Sequence, residues 1–458
     1  MINLVINKEL NNRKQIIYAF YYLCQGYEEE LSVSEQYIDN TINIIYGDIS
    51  ICGEKYIYVP LGGEFKAEKV IYNAYENSSY ISFDKAYEVP FIKKESEVIF
   101  KFDILYSSFY LLSSKEEYDL NIRDSMERFL AEYSLRKEAI NKPFFDIYSK
   151  ILFSAIKTLF PELKIRKKSF EIMLTHDVDS LNSRDKYVFL HNAKELLMNR
   201  ENKKLTTRFS NFVLDIFINR HLQIRNCIEL EKKRNAVSEF YFIQGREHRL
   251  GKRYELNKVQ REIEYIKNSS QCIIGLHTNY FSYNSSEDIK GEIEEIEENT
   301  KTKVRSGRNH YLRFSTPSTW HTLSAAGIEC DCSFGYSDIN GFRAATTMQF
   351  IPFDIEKNEL INICEVPLVV MDSLAMDNNK TFDDKWEEIK VILDTVESFE
   401  GTVSLLWHER LIYDVEYKKM YERIVDYIKS KAGRFVLSSE LIDRAYNQRL
   451  ILERLLND

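Results

Sequence analysis

Hydrophobic and polar positions fall into two textures along the chain. Up to about residue 165, short apolar runs at Ile2–Ile6, Ile42–Tyr46, Tyr56–Val59, Tyr80–Phe83 and Val98–Phe102 read as strands. Arg13–Cys24 and Asp103–Tyr118 carry apolar and aromatic residues at helical spacing and read as helices. This section, residues 1–165, is expected to form an α+β domain.

From residue 170 onward strand-like and helix-like stretches alternate. The strand-like runs are Glu171–Thr175, Glu239–Ile243, Cys272–His277, Val304–Phe314, Glu329–Phe334, Ile361–Met371 and Val403–His408. Between them lie helical patterns at Leu256–Lys267, Ser286–Glu298, Pro317–Ala326, Asp383–Glu397 and Val415–Ala432. Repeated β–α units argue for parallel strands joined by crossover helices, as a barrel or an open sheet, and the length of 166–458 suits an α/β barrel. A Lys-, Arg- and Asn-rich helical stretch at about 183–235 reads as an insertion between the first two strands, forming a lid or a partner surface.

The barrel section is organised around Phe170–Asp179, FEIMLTHDVD. The apolar run Phe170, Ile172, Met173, Leu174 is followed by Thr175, His176, Asp177 and Asp179, then by Ser180. That pattern predicts a buried strand ending in a loop, and α/β folds place chemistry just past such strand ends. Two carboxylates beside a histidine have the composition of a metal or acid–base site; a helix N-cap cluster would look similar.

Composition narrows the classes. The 458 residues exceed one ordinary domain, and 44% hydrophobic with 29% charged residues marks a globular chain. A formal net charge of −9 argues against non-specific nucleic-acid binding, which needs a basic footprint. The N-terminus lacks the pattern of a signal peptide, and no run of about 18 apolar residues predicts a membrane span. The seven cysteines are scattered, without a zinc-ribbon spacing, and read as reduced residues of a cytoplasmic protein.

All eight histidines lie at or after residue 176, and His176, His277, His310 and His408 fall at or near strand ends. A lone strand-end histidine is usually structural. Four in one β/α domain, with Asp177 and Asp179 at another strand end, would converge on one rim of a barrel. A carboxylate with two or three imidazoles is a ligand set for zinc or another borderline divalent ion. The remaining Asp and His would act as general base and general acid.

Residues 170–410 resemble the polysaccharide deacetylase (NodB-homology, carbohydrate esterase family 4) group, and the whole chain resembles a two-domain bacterial subgroup of it. The resemblance is carried by FYLLSSKEEY (109–118), THDVD (175–179), GLHTNYFSY (275–283), RNHYLRFSTP (308–317), DCSFGYSDINGFR (331–343) and LLWH (405–408). It implies a distorted (β/α) barrel that uses a divalent metal, zinc in first place, to remove an acyl group from a sugar. Asp177 takes the family's base position and Asp179 that of the metal carboxylate, although the extra Val178 would let the two exchange roles. His277 matches the first histidine of the HxxxH motif, whose second falls at Phe281. His310 is then the candidate for the missing ligand, with His176 as a further one. Arg308 matches the arginine that orients the base, the Tyr311 N–H the oxyanion donor, and His408 the acid that protonates the leaving group. Asp331 matches an acid that supports the site, or else caps the following turn.

The expected function is a metal-dependent deacetylase acting on a glycan or glycan precursor. The alternative is a degenerate member in which Phe281 leaves a carbohydrate-binding or scaffold protein without turnover.

Overall fold

Two parallel sheets share one continuous buried apolar cluster. The computed structural model describes residues 1–49, 53–62, 69–75, 78–181, 222–377 and 379–458. The first sheet draws on β1 (Ile2–Val5), β2 (Leu31–Ser34), β3 (Ile42–Tyr46) and β4 (Tyr56–Val59). A separate antiparallel hairpin of β5 (Ile71–Tyr75) and β6 (Ser78–Ser82) follows, then β7 (Phe91–Lys93) and β8 (Glu97–Phe100). The strand order is β2-β1-β3-β4-β8-β7, parallel throughout except at the β7–β8 edge.

Helix Arg13–Cys24 is apolar nearly all round, so it is covered on nearly every side rather than on one face. Two of its tyrosines fasten this first unit to the second. The Tyr18 hydroxyl donates to the Ile351 carbonyl (2.9 Å) and the Tyr22 hydroxyl accepts the Ile351 N–H (2.8 Å).

The helix expected over Asp103–Tyr118 is instead two helices, Ile104–Leu112 and Lys115–Leu120. Asp103 caps the first through the Tyr106 N–H, and the chain breaks at Ser114, whose φ is +53°. The break turns two buried glutamates toward arginines. Glu116 meets Arg136 at 3.2 Å, and Glu117 receives both Nε and Nη2 of Arg343 at 2.8 and 2.9 Å. A straight helix would forgo pairing two buried carboxylates, which costs more than one interrupted turn.

The second sheet contains β9 (Glu171–Val178), β10 (Ser238–Ile243), β11 (Cys272–Thr278), β12 (Ser306–Asn309) and β13 (Cys330–Asp331). After a small hairpin of β14 (Phe353–Asp354) and β15 (Glu359–Leu360) come β16 (Cys364–Glu365), β17 (Leu368–Met371), β18 (Thr402–Leu406) and β19 (Arg434–Phe435). All neighbours are parallel, in the order β16-β13-β12-β11-β10-β9-β18-β17, with β19 on the early half of β9. The two ends of that order are consecutive in sequence. The Val366 N–H bonds the Asp331 carbonyl and the Ser404 N–H bonds the Pro367 carbonyl, so one stretch of chain bridges both edges. Pro367, with no N–H to offer either neighbour, stands at the crossing. The result is a distorted barrel, as the resemblance implies, and the closed one of the two forms, barrel or open sheet, that the alternation allows.

Several expected strands are shorter than their apolar runs. Val304–Phe314 contributes only Ser306–Asn309, because the chain then turns through Tyr311 (φ +60°) and Leu312 (φ +52°). Glu329–Phe334 contributes only Cys330–Asp331. Conversely, β9 continues three residues past Thr175, so His176 and Asp177 lie within a strand and not in the loop after it. Most of the expected 183–235 insertion, residues 183–221, lies outside the described residues; its end includes helix Ile224–Lys232. Among the described residues no helix is long and apolar enough to cross a membrane.

Candidate active site

The pleat of β9 sorts its polar residues. Alternation puts Thr175 and Asp177 on one face and His176 on the other, with Asp179 just beyond the strand's end. On the first face stand the C-terminal ends of neighbouring strands. In register, Asp177 lies opposite Tyr241, Tyr241 opposite Gly275, and His277 opposite Arg308. A Cβ at Gly275 would come within 2.4 Å of the Tyr241 ring, so glycine there makes room for that ring. The Arg308 guanidinium lies 5.5 Å from the centroid of the same ring.

Asp179, His277 and His310 converge. Asp179 Oδ1 is 3.4 Å from His277 Nε2 and 3.6 Å from His310 Nε2, and all three residues are buried. Four tetrahedral ligands about 2.1 Å from a zinc ion would stand roughly 3.4 Å apart, so the spacing fits. His277 Nδ1 is 3.0 Å from the Arg308 carbonyl, so that nitrogen carries the proton and Nε2 keeps its lone pair. Burial, and then the neighbouring His277, hold the His310 pKa well below its ordinary value, leaving a neutral imidazole. Among the described residues Asp179 Oδ1 has no hydrogen-bond donor although it is buried. Burial alone would raise the Asp179 pKa, but Arg410 and His408 hold it well below the usual carboxylate range. An ionised, unpartnered oxygen beside two imidazole nitrogens is a donor set suited to a divalent cation.

Two further pairs flank this trio. Arg308 Nη1 donates to Asp177 Oδ1 (3.0 Å) and to Thr175 Oγ1 (2.7 Å), while its Nε holds the Cys332 carbonyl (2.9 Å). Asp177 Oδ2 remains turned toward His277, 3.7 Å from Nε2. His408 Nδ1 lies 2.9 Å from Asp372 Oδ2, and its Nε2 lies 3.4 Å from Asp179 Oδ2. Burial works against a charge on His408, but Asp372 and Asp179 raise its pKa to about 10, outweighing Arg410.

The first unit reaches this rim. Arg128 Nη1 meets the Tyr311 carbonyl at 3.4 Å, and Arg313 holds the Met126 carbonyl (3.2 Å) and Glu127 (2.9 Å). Glu127 also receives the Tyr283 hydroxyl. The segment carrying His310 and Tyr311 is thereby clamped between the barrel and the turn at 124–128.

Asp177, Asp179, His277, His310, Arg308 and His408 thus come together, with the Tyr311 backbone alongside. His176 does not join them. Its Nδ1 meets the Trp407 carbonyl (2.6 Å), its Nε2 meets Glu231 (2.8 Å), and its ring stacks on Phe240. Its group with Cys227 and Glu231 has ligand-like spacing, but Tyr421 and Ser238 already donate to Glu231 and both ring nitrogens are engaged. That arrangement is a closed hydrogen-bond network. Phe281 packs against His248 and the Arg246 guanidinium. Asp331 accepts the Ser333 N–H and hydroxyl, which is the turn-capping role.

Sequence reasoning missed Asp372 and Arg410. Both had a weak signal: Asp372 directly follows an apolar strand, and Arg410 stands two residues after His408.

Residues 4–161 match the family described as "Family of unknown function (DUF7033)". No curated protein matches the chain. Among solved structures, the chain is similar to a candidate polysaccharide deacetylase from Mycobacterium smegmatis, at 12% identity and a TM-score of 0.41, over 62% of this chain and 92% of that one. It is similar to the Puue allantoinase at 14% identity and a TM-score of 0.41, over 60% and 89% of the two chains. A candidate polysaccharide deacetylase from Pseudomonas aeruginosa PAO1 gives 14% identity and a TM-score of 0.38, over 61% and 91%.

Proposed function

We propose that the chain is a metal-dependent hydrolase that removes an acyl group, acetyl in the first instance, from a sugar of a glycan or glycan precursor. The observation that carries this reading is the convergence of Asp179 Oδ1, His277 Nε2 and His310 Nε2 between an Arg308–Asp177 pair and a His408–Asp372 pair. The acyl-sugar substrate class rests on the motifs, THDVD through LLWH.

Asp179, His277 and His310 would hold a divalent ion, with zinc favoured by two imidazoles and one carboxylate. Such an ion supplies Lewis acidity toward an acyl carbonyl and makes a nearby water more acidic. The chain's own groups then divide the remaining work. Asp177, held at Oδ1 by Arg308, keeps Oδ2 free to take a proton from the attacking water. The Tyr311 N–H is offered to the developing oxyanion; one such donor is typically worth about 3–4 kcal/mol. His408 delivers a proton from Nε2 to the departing amine or alcohol, and Asp372 fixes the ring by holding Nδ1.

The test combines zinc analysis of the purified protein with acetate release from acetylated chitooligosaccharides and acetylated xylan. One zinc per chain with acetate release is expected. Glycan binding without zinc or turnover would instead favour the non-catalytic carbohydrate-binding reading.

A further inference from the structure

Tyr311, whose N–H is the proposed oxyanion donor, and Leu312 are consecutive non-glycine residues with a left-handed backbone, at φ +60° and +52°. A side chain crowds the backbone in that region, so two such residues in a row persist only where surrounding contacts hold them. Before them, the barrel does the holding. Asn309 ends β12; its N–H bonds Ser333 Oγ (2.9 Å) and its Oδ1 takes the Thr278 hydroxyl (2.9 Å), so His310 leaves a fixed strand end. Leu312 itself packs with Leu368 and Leu406 of the barrel.

On the other side the first unit takes over. The buried Arg313 reaches it with two of its nitrogens, Nε to the Met126 carbonyl (3.2 Å) and Nη2 to Glu127 (2.9 Å), while Nη1 holds the Tyr280 carbonyl (2.5 Å). Its guanidinium also lies 3.8 Å from the centroid of Tyr283, whose hydroxyl closes back on Glu127. Three residues on, the buried Thr316 hydroxyl donates to Glu117 (3.1 Å), a carboxylate already fixed by Arg343. Arg128 meets the Tyr311 carbonyl itself at 3.4 Å. Met126, Glu127 and Arg128 sit on a turn closed by Asp124, which accepts the N–H groups of Met126 (2.9 Å) and Arg128 (2.8 Å) and Nε of Arg128 (2.9 Å). Glu117 and this turn both fall within residues 4–161, the stretch that matches the family of unknown function.

We infer that the first unit is a positioning domain for the barrel's rim: through Glu117 and the turn at 124–128 it holds the strained Tyr311–Leu312 bend and so aims the Tyr311 N–H at the reacting carbonyl. The inference rests on the reaction proposed above. It divides the segment into two duties. His310, anchored by its strand, keeps the metal, and Tyr311 depends on the first unit.

Glu127→Ala in the full chain tests this division, with zinc analysis, acetate-release kinetics and hydrogen exchange read by mass spectrometry. The Glu127 side chain is 57% exposed, so its truncation leaves the core intact. Zinc should stay at one per chain and KM should change little. The kcat should fall about tenfold or more, toward the roughly 10²–10³-fold loss of a missing oxyanion donor. Glu127→Gln, which still accepts from Arg313 and Tyr283, should recover most of that loss, a rescue that a residue serving stability alone would not show. Exchange at residues 311–313 should quicken in Glu127→Ala while β9, β10 and β11 stay protected. Unchanged kcat or unchanged exchange would overturn the inference. Loss of zinc together with kcat would overturn the division of duties, making the first unit a support of the metal site. In a parent chain that releases no acetate the proposed reaction falls, and the exchange measurement still decides whether the first unit holds the bend.

Discussion

Arg410 Nη1 lies 2.8 Å from Asp179 Oδ2, and that contact divides the Asp179 carboxylate between two neighbours. Oδ2 faces cations, Arg410 and His408, while Oδ1 lies nearest the Nε2 atoms of His277 and His310. The guanidinium orients the carboxylate and also competes for its charge. Replacing Arg410 with Gln keeps a donor and removes the competing charge. Arg410→Gln is therefore expected to bind zinc about tenfold tighter in calorimetry, one pKa unit of charge interaction being about 1.4 kcal/mol. Weaker binding would show that orientation outweighs competition.

The ligand assignment makes a contrast between two histidines. His310 presents Nε2 to Asp179, whereas His176 has both nitrogens engaged on the other face of β9. His310→Ala should abolish tight zinc binding and His176→Ala should not. Zinc titration of both folded variants checks this, and unchanged affinity in His310→Ala would remove His310 from the ligand set.

His408 and Asp372 are expected to act on turnover and not on the metal. His408→Ala should retain its zinc while kcat falls by roughly 10²–10⁴-fold, the usual range for a lost general acid. Asp372→Asn should lower kcat less, because the ring loses only its anchor at Nδ1. Loss of zinc from His408→Ala would make His408 a ligand instead.

The parts of the site that were legible in the sequence are those carried by strand periodicity. The residues of THDVD were legible as a polar cluster at the end of an apolar strand; alternation sorts Thr175 and Asp177 to one side and His176 to the other only because β9 runs on to Val178. Alternating strand and helix made a parallel α/β domain legible as a barrel or an open sheet, and the length of the section favoured the barrel. What escaped depends on partners distant in sequence. Arg410 and Asp372 acquire meaning only when the β17–β18 pairing brings Asp372 beside His408 and the β18–β9 pairing brings Arg410 beside Asp179. The clamp of Arg313 on Met126 and Glu127 joins residues more than 180 positions apart. The break at Ser114 answers to Arg136 and Arg343, which local helical propensity cannot register. Helix Ser438–Asn457 was readable, since Leu441, Ala445, Gln448, Leu452 and Leu455 repeat at helical spacing, yet it lay beyond the last motif.

The closed network behind β9 couples stability to pH. Burial alone would lower the His176 pKa and raise that of Glu231, yet each shifts the other way because the two are paired at 2.8 Å. At pH 6, below the ordinary histidine value and above the ordinary glutamate value, both are therefore charged, and the pair's contribution has two edges. The His176 pKa is raised, so its share is complete below the unfolded value near 6.5 and is lost as pH rises through the folded value. The Glu231 pKa is lowered, so its share is complete above about 4.3 and is lost as pH falls through the folded value. Removing one partner strands a buried charge, a cost of about 3–5 kcal/mol. His176→Ala should thus lower stability by that order near pH 6 in urea titrations. The gap between the variant and the parent chain should then narrow as pH rises past 6.5 toward the folded His176 value. A gap that stays constant from pH 6 to pH 10 would mean that His176 is neutral in the fold and acts through packing on Phe240 alone.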